Sequence, residues 1–576
     1  MKIMIAKTAG FCMGVRRAVD IALDASNRID EPIYSFGPLI HNPQVLSLLK
    51  EKGLAVIDQV PDKGSGTVII RAHGVPPDKI KGLEKAGYNV IDATCPRVIK
   101  VQTIIKKHSS QGEAIIIVGD HDHPEVTGLL GYAGERKYVV DSLESMDNLP
   151  VFDKAIIVAQ TTQNIHFFNR VKEWSNKRAP HYTIFNTICD STEKRQAEAS
   201  RLAESVDAVI VVGGFNSGNT RRLAEVAKEA GKPSFHVEDE TGLDMSYLSE
   251  VESIGITAGA STPNWVINNI YRKIETLPYK KLKRWHHAVL SIQRILLMTN
   301  IYVAIGAGCL TYASSKLQGI DNNLSYIMIA FLYVLSMHTF NNLIETKADR
   351  YNNPDRAFFY QKNFFLMACL AVTAGGAGLL TAYTKGLIPF LILLAMSIMG
   401  GMYNLKLVPE RFSLVNYRRI KDIPGSKTIL IVLAWGVATS LFPVISAKGA
   451  LNTSTFSVLI WAMGIVFVRT AFFDILDMQG DRIVGRETLP IFLGEQKTRA
   501  LLKKLLVFLS VLPLLFGLFG LLPFSAAILF IVPVLLFLII IANENRKLLP
   551  GFRLVFLVET GFVLIGMLAF LIFTFS

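Results

Sequence analysis

Three cysteines in the first half of the chain occupy equivalent positions. Cys12, Cys95 and Cys189 each follow a short β-rich run and stand at or near the start of a helical pattern. A helix N-terminus favours a thiolate because it concentrates positive partial charge. Three converging thiolates could hold zinc or an iron–sulfur cluster with one iron open to substrate, although zinc would usually add a fourth protein ligand. Three unrelated buried cysteines are the remaining alternative.

A second set of polar side chains follows other predicted strands. Single residues of these types usually serve as turn or cap residues. Several such loops facing three thiols would instead provide imidazole, hydroxyl and amide donors suited to a diphosphate. No Walker A or strand-linked GxGxxG motif occurs, so a nucleotide is not the expected anion. The set comprises His41, His73, His123, Thr161, Ser217, Gly218, Asn219 and Ser261.

The elements that must position these side chains are those of an α/β protein. Eight apolar runs predict strands: MKIMIA, TVIIRA, NVIDA, AIIIVG, AIIVAQ, YTIF, AVIVVG and SIGITA. Amphipathic helical patterns follow most of them, which is typical of parallel sheets. The repeated cysteine position predicts three related lobes, each presenting one thiol at the carboxyl ends of its strands, where sites of open sheets form.

Nine segments carry a family resemblance: AGFCMGVRRAV, HNPQV, RAHGV, DATCPRV, HPEVTG, AQTTQ, ICDSTEKRQ, GGFNSGNTRRL and TAGASTP. Together they resemble 4-hydroxy-3-methylbut-2-enyl diphosphate reductases, the last enzymes of the non-mevalonate isoprenoid pathway. The resemblance covers residues 1–277, which we interpret as one domain. It implies an oxidoreductase with a three-lobed fold around a [4Fe–4S] cluster, and a ferredoxin- or flavodoxin-type electron donor.

The same resemblance implies roles for individual residues. Cys12, Cys95 and Cys189 would hold the cluster. Glu125 would be the proton source beside the substrate hydroxyl, assisted by His123 and Thr161. The diphosphate would be bound by His41, His73, His123, Ser217, Asn219 and Ser261. Gly218 stands where some family members have serine, so we expect only a backbone contact there.

The second half of the chain has a different composition. Nine apolar segments between residues 288 and 575 approach the length needed to cross a bilayer. A basic linker at 278–287 precedes them, and Lys and Arg recur in alternate loops, as the positive-inside rule requires. The net charge of +13 is thereby explained without nucleic acid. The start of the chain does not resemble a signal peptide. We therefore expect a multi-pass protein of the cytoplasmic membrane with its N-terminal domain in the cytoplasm.

Two acidic clusters occur where predicted spans two and six reach the same side of the membrane. Spacings of three and four residues place such groups on one helical face. Carboxylates at a membrane helix end are costly unless they have a function, and paired acidic faces can hold Mg²⁺ for diphosphate binding. The clusters comprise Asn341, Asn342, Glu345 and Asp349 in the first, and Asp474, Asp477 and Asp481 in the second.

Residues 288–576 resemble the UbiA prenyltransferase family, most closely through DILDMQGDRIVGRETLP. The resemblance implies Mg²⁺-dependent transfer of a prenyl group from a diphosphate to an acceptor that the sequence does not identify. Arg350, Lys421 and Lys427 are candidate diphosphate contacts. The first motif departs from the family because Asn342 and Glu345 stand where aspartates are usual. The alternative is that this half is an inactive anchor or a module that binds prenyl lipids.

Overall fold

The computed structural model describes residues 2–275, 284–321, 324–344, 346–402, 425–447, 451–546 and 551–575. The chain forms two compact units, residues 1–280 and 281–576. Glu345, Lys421 and most of the linker predicted at 278–287 lie outside the described residues.

The first unit alternates strands and helices, as predicted. Its described strands are β1 (Lys2–Ile5), β2 (Ile33–Phe36), β3 (Leu54–Ile57), β4 (Thr67–Ile70), β5 (Asn89–Asp92), β6 (Ala114–Val118), β7 (Lys137–Val140), β8 (Ala155–Ala159), β9 (Thr183–Phe185), β10 (Ala208–Val212), β11 (Ser234–Val237) and β12 (Ser253–Ala258). Its helices are α1 (Met13–Arg28), α2 (Pro43–Glu51), α3 (Pro77–Lys85), α4 (Pro96–Ser109), α5 (Pro124–Leu130), α6 (Leu143–Asp147), α7 (Ile165–Arg178), α8 (Asp190–Glu204), α9 (Gly218–Glu229), α10 (Met245–Leu248) and α11 (Asn264–Glu275).

The strands form three parallel sheets with one common topology. Their orders are β3-β2-β4-β5, β7-β6-β8-β9 and β11-β10-β12-β1. The N-terminal strand β1 completes the third sheet by pairing with β12, so that Lys2 aligns with Ser253 and Ile5 with Ile256. The prediction of three related lobes is confirmed, and the chain closes the third lobe with its own beginning.

The degree of burial of each strand explains which strands could be predicted from the sequence. The inner strands β6, β8 and β10 are buried at every residue, so they appear as continuous apolar runs. All eight predicted strands are present. Of the four strands that the prediction missed, β3, β7 and β11 are edge strands with partly exposed residues.

The second unit is helical throughout its described residues. Its helices are α12 (Arg284–Met298), α13 (Ile301–Leu317), α14 (Leu324–Ile344), α15 (Thr346–Asn352), α16 (Pro354–Lys362), α17 (Phe364–Tyr383), α18 (Leu387–Met402), α19 (Ser426–Gly436), α20 (Phe442–Ala447), α21 (Thr453–Ile483), α22 (Leu489–Leu493), α23 (Glu495–Leu518), α24 (Ile531–Glu544) and α25 (Phe552–Phe575). A π-helical turn at Val437–Leu441 joins α19 to α20, and a 3₁₀ segment at Phe524–Phe530 precedes α24.

The nine predicted spans all coincide with apolar helices, but the count of unbroken spans needs correction. Seven helices in the described residues are long and apolar enough to cross a membrane. The first predicted span is instead a pair, Ala288–Met298 and Ile301–Leu317, bent by 75°. Asn300 lies at this bend in the left-handed conformation, which interrupts the helix. The fourth span, α18, has only 16 residues. The unit is a multi-pass membrane domain.

Candidate active sites

The three cysteines in the first unit begin three equivalent helices. Cys12, Cys95 and Cys189 are the N-cap residues of α1, α4 and α8. Each follows the corresponding edge strand of its sheet, namely β1, β5 or β9. The free amide groups at these helix N-termini favour negative charge on the thiols.

Backbone hydrogen bonds attach each cysteine to a second loop at the same sheet edge. The amide of Cys12 donates to Ala260 O at 3.1 Å. The amide of Cys95 donates to Ala72 O at 2.9 Å, and that of Cys189 donates to Thr161 O at 2.9 Å. These second loops carry Ser261, His73 and Thr161. The fold therefore delivers a thiol and a polar side chain together, once in each lobe.

The thiols converge without forming a single-ion site. Burial raises the pKa of the Cys95 thiol, the amides of Arg97 and Val98 lower it, and the charges of Cys12 and Cys189 raise it. A β-carbon at Gly14 would lie 2.4 Å from Cys95 Sγ, so only glycine fits beside this sulfur. Among the described histidine, cysteine and acidic residues, the three sulfurs are not grouped tightly enough for one metal ion.

Three histidines face the same pocket as the thiols. The ring centroids of His41 and His73 are 4.7 Å apart, and His123 lies 5.8 Å from His41 and 5.5 Å from His73. One ring nitrogen from each histidine comes within 4.8 Å of the others. Sequence reasoning placed these residues in one site, and the structure brings them together.

The pocket keeps these imidazoles neutral. Burial lowers the pKa of His123 to about 4, and the positive charge of a protonated His41 acts in the same direction. Burial also lowers the pKa of His73 well below its usual value, and that of His41 less strongly. His123 Nδ1 accepts a hydrogen bond from the Glu125 amide at 3.1 Å, so its ring proton resides on Nε2.

Several buried polar atoms in the pocket lack a partner among the described residues. They include His41 Nε2, His73 Nδ1 and both side-chain atoms of Asn219. Ser217 caps α9, and Ser261 Oγ lies 3.4 Å from Ser217 Oγ. Unsatisfied buried polar groups are costly, so their concentration here indicates a binding site for a polar ligand.

Glu125 is buried beside this pocket and is held by one residue. Its Oε1 accepts the Thr161 amide at 2.7 Å, and its Oε2 accepts the Thr161 hydroxyl at 2.8 Å. Burial raises the pKa of Glu125 to about 7, although these hydrogen bonds lower it. A carboxyl with this pKa can give up a proton near neutral pH.

Gly218 opens α9 beside the histidines. A β-carbon at this position would lie 3.7 Å from His123 Nε2, which is ordinary contact distance. The position therefore has room for the serine that some family members carry, and here it offers only its backbone.

Two charged residues on α8 were not singled out from the sequence. Arg195 is 3% exposed and donates to Gly10 O at 2.6 Å and Ala258 O at 3.0 Å. Glu198 accepts the amides of Lys7 and Thr8 at 2.7 and 2.8 Å. The helix that begins at Cys189 thus holds the loop leading to Cys12. Arg195 lies within the segment ICDSTEKRQ, which carries the family resemblance, and that segment was the available signal.

The acidic residues of the second unit meet at one end of α21. Asp474 and Asp481 are each 1% exposed, and α15, which carries Asp349, packs against this helix. Asp477 lies within range of the charges of Asp349 and Asp474. The two predicted clusters therefore come together in the described residues, except that Glu345 lies outside them.

Cations and polar groups accompany these acids. Arg356 donates two hydrogen bonds to the Asp349 carboxylate, from Nη2 at 2.7 Å and from Nε at 3.1 Å. Asp474 accepts the Thr428 hydroxyl at 2.6 Å and lies 3.5 Å from Lys427 Nζ. Lys427, a candidate diphosphate contact, therefore adjoins the acids.

Asp481 combines one charged contact with a free oxygen. Its Oδ1 lies 3.4 Å from Arg486 Nη1. Its Oδ2 is buried and lacks a hydrogen-bond partner in the part of the chain that the structure describes. A buried free carboxylate oxygen fits the hard oxygen ligand set that Mg²⁺ prefers.

Asn342 of the first motif belongs to a neutral hydrogen-bond network. Asn342 Nδ2 lies 3.4 Å from both Asn300 Oδ1 and Tyr360 Oη, and Asn300 Nδ2 donates to Tyr360 Oη at 2.8 Å. Asn341 Oδ1 is buried without a partner among the described residues. The asparagine at 342 thus serves a hydrogen-bond network at the bend between α12 and α13.

Comparison with known proteins assigns both units to families. Residues 3–275 match the LytB protein family model, and residues 301–558 match the UbiA prenyltransferase family model. A 4-hydroxy-3-methylbut-2-enyl diphosphate reductase from Pelobacter propionicus is 43% identical over 274 residues, covering 48% of this chain and 98% of the relative.

Each half of the chain is similar to a solved structure. One is the (E)-4-hydroxy-3-methyl-but-2-enyl diphosphate reductase described as the terminal enzyme of the non-mevalonate pathway. It is 40% identical, with a TM-score of 0.39 and coverage of 48% of this chain and 99% of that chain. The other is a UbiA homologue from Archaeoglobus fulgidus bound to DMAPP and Mg²⁺. It is 16% identical, with a TM-score of 0.34 and coverage of 48% and 99%.

Fold, pocket and family matches define this chain as a bifunctional enzyme with a reductase half and a prenyltransferase half. Through its first half the chain belongs to the LytB family of 4-hydroxy-3-methylbut-2-enyl diphosphate reductases. Residues 301–558 of its second half match the UbiA prenyltransferase family model.

Proposed function

We propose that the first half converts 4-hydroxy-3-methylbut-2-enyl diphosphate to isopentenyl and dimethylallyl diphosphate. The reaction takes two electrons and two protons, breaks the carbon–oxygen bond of the hydroxyl, and releases water. The observation that carries the proposal is the pairing of Glu125 with Thr161 in a pocket that also holds three thiols and a set of unsatisfied polar atoms.

Cys12, Cys95 and Cys189 would hold a [4Fe–4S] cluster. Three thiols spread too widely for a single ion support a multi-iron group over zinc. The glycine at position 14, beside Cys95, leaves room that a side chain would fill. When bound, the cluster would supply a Lewis-acidic iron and pass on electrons that it receives from a ferredoxin- or flavodoxin-type donor.

The protein's own residues would bind the substrate and move protons. His41, His73, His123, Ser217, Asn219 and Ser261 would bind the diphosphate, with Gly218 offering its amide. The three histidines could in principle ligate a metal ion. The hydroxyl and amide donors around them favour a diphosphate.

Glu125 would donate the proton that lets the hydroxyl leave as water. Thr161 would fix the orientation of this carboxyl through its two hydrogen bonds. His123 adjoins Glu125 through its backbone contact and would bridge the proton site and the diphosphate.

For the second half we propose transfer of a prenyl group from a prenyl diphosphate to an acceptor. Asp474, Asp477, Asp481 and Asp349, with Glu345 and Asn341, would hold Mg²⁺, which stabilises departing pyrophosphate. Lys427 and Arg356 would neutralise the charge around the diphosphate. We place both active sites on the cytoplasmic side of the cytoplasmic membrane, because Lys and Arg are concentrated in the corresponding loops.

Anaerobic purification of the full chain in detergent tests both proposals. We expect a brown protein that reduces the hydroxylated diphosphate with a one-electron reductant, and Mg²⁺-dependent label transfer from prenyl diphosphates to a lipid extract. Asp477→Asn should abolish only the transfer, and Asp355→Asn, on a surface ion pair with Arg294, should not. Failure of transfer at every prenyl length would favour the inactive anchor.

A further inference from the structure

A half-open groove with a volume of about 500 Å³ lies outside the acidic cluster of the second unit. It is bounded by the end of α14, by α15 and α16, and by the start of α17. None of the acidic residues discussed above lines it. The residues that matter for its chemistry are Leu343, Arg350, Phe358, Tyr360, Gln361 and Phe364.

Arg350 gives the groove a positive charge. Its side chain is exposed, and it forms no ion pair with any residue that the structure describes. The two nearby aspartates are already paired, since Asp349 binds Arg356 at 2.7 Å and Asp355 lies 3.4 Å from Arg294. Arg350, which the sequence gave as a candidate diphosphate contact, lines this groove.

The remainder of the groove is apolar and continues into a membrane span. Phe358 and Phe364 are 67% and 59% exposed. Phe365, the second residue of α17, is 81% exposed, and α17 is long and apolar enough to cross the bilayer. Exposed apolar rings at the end of a membrane span are suited to contact with lipid acyl chains.

One wall of the groove touches the first motif. Tyr360 is among the lining residues, and its hydroxyl lies 3.4 Å from Nδ2 of Asn342 in that motif. Asp349 and its neighbour Arg350 thus serve different sites: the aspartate contributes to the acidic cluster, and the arginine contributes to the groove.

We propose that this groove binds an anionic membrane phospholipid. The phosphate would pair with Arg350, the amide of Gln361 would contact the headgroup, and the acyl chains would lie along Phe358 and Phe364. A guanidinium suits a phosphate because it offers several donors in one plane. This site is additional to prenyl transfer and does not depend on it.

The test uses the full chain in detergent and native mass spectrometry with added phosphatidylglycerol or phosphatidylcholine. We expect preferential retention of phosphatidylglycerol, reduced about fivefold in Arg350→Gln, which corresponds to one basic residue at an anionic surface. Lys362→Gln is the matched control, because Lys362 is an exposed basic residue at the end of α16, next to Gln361, but does not line the groove. Phe364→Ala should weaken retention of both lipids.

Inorganic phosphate distinguishes a lipid from a free anion. Millimolar phosphate should leave the bound lipid in place, because the rings contribute to binding only when acyl chains are present. Equal retention of the two phospholipids by the wild type would overturn the proposal. So would loss of selectivity in Lys362→Gln but not in Arg350→Gln, or displacement of the lipid by phosphate alone. Unchanged melting temperatures would show that each variant is folded.

Discussion

Thr161 holds both oxygens of the Glu125 carboxylate, one through its amide at 2.7 Å and the other through its hydroxyl at 2.8 Å. The carbonyl of Thr161 in turn accepts the amide of Cys189 at 2.9 Å. One loop therefore fixes the distance between a protonatable carboxyl and a thiol, which is the arrangement that coupled electron and proton delivery requires.

Replacing Glu125 by glutamine should abolish most reduction without changing iron content. Glutamine keeps the size of the side chain but cannot donate an acidic proton. General acids contribute about 10²–10⁴-fold to rate, and we expect a loss of that order in kcat. The measurement is anaerobic turnover with iron analysis on the same preparation. A variant that turns over at the normal rate would remove Glu125 from this role.

The pH profile should report the same carboxyl. Because the pKa of Glu125 is raised to about 7, its proton is present below that pH and lost above it, so kcat/KM should fall about tenfold per unit on the alkaline side. Thr161→Val removes a hydrogen bond that lowers this pKa, so the descending limb should move to higher pH. A shift to lower pH would contradict the assignment.

Diphosphate binding should depend on the neutral histidines. His73→Asn keeps a polar side chain but displaces the donor, and a hydrogen bond to a charged group contributes about 1.5–3 kcal/mol. We therefore expect KM to rise about tenfold or more, with a smaller change in kcat. His108→Asn is the control, because His108 contacts Glu113 and does not line the pocket. An unchanged KM in His73→Asn would argue against diphosphate binding there.

Arg195 should matter for cluster retention because it fastens the Cys12 loop to α8. Arg195→Lys cannot reach both Gly10 O and Ala258 O, so we expect iron content and the visible absorbance near 400 nm to decrease by about half or more. Arg201→Lys, an exposed position on the same helix, should retain both. Full iron loading in Arg195→Lys would show that the loop holds its position without this residue.

The sequence predicted the part of the reductase site that repeats. Cysteines at equivalent strand ends and histidines after strands are visible as a pattern, because parallel sheets bring those positions to one edge. The pairing of β1 with β12, and the reach of Arg195 across to Gly10, depend on contacts between distant parts of the chain. No local periodicity carries that information.

Among the described residues of the membrane half, hydropathy located the apolar helices long enough to form spans but not the bend at Asn300. The left-handed conformation there is stabilised by Tyr360, which lies 60 residues further along the chain. The neutral network around Asn342 was likewise hidden, since the motif showed only that Asn342 stands where the family usually has aspartate. The count of continuous spans was wrong for the same reason, because residue composition does not reveal where a helix breaks.

Product analysis tests the central claim most directly. The full chain, purified without oxygen and loaded with iron, is given 4-hydroxy-3-methylbut-2-enyl diphosphate and a one-electron reductant, and the products are identified by mass spectrometry. We predict isopentenyl and dimethylallyl diphosphate, with the yield of both reduced about 10²-fold or more in Glu125→Gln. Unchanged substrate from an iron-loaded wild-type protein, or a colourless preparation that contains zinc, would contradict the account.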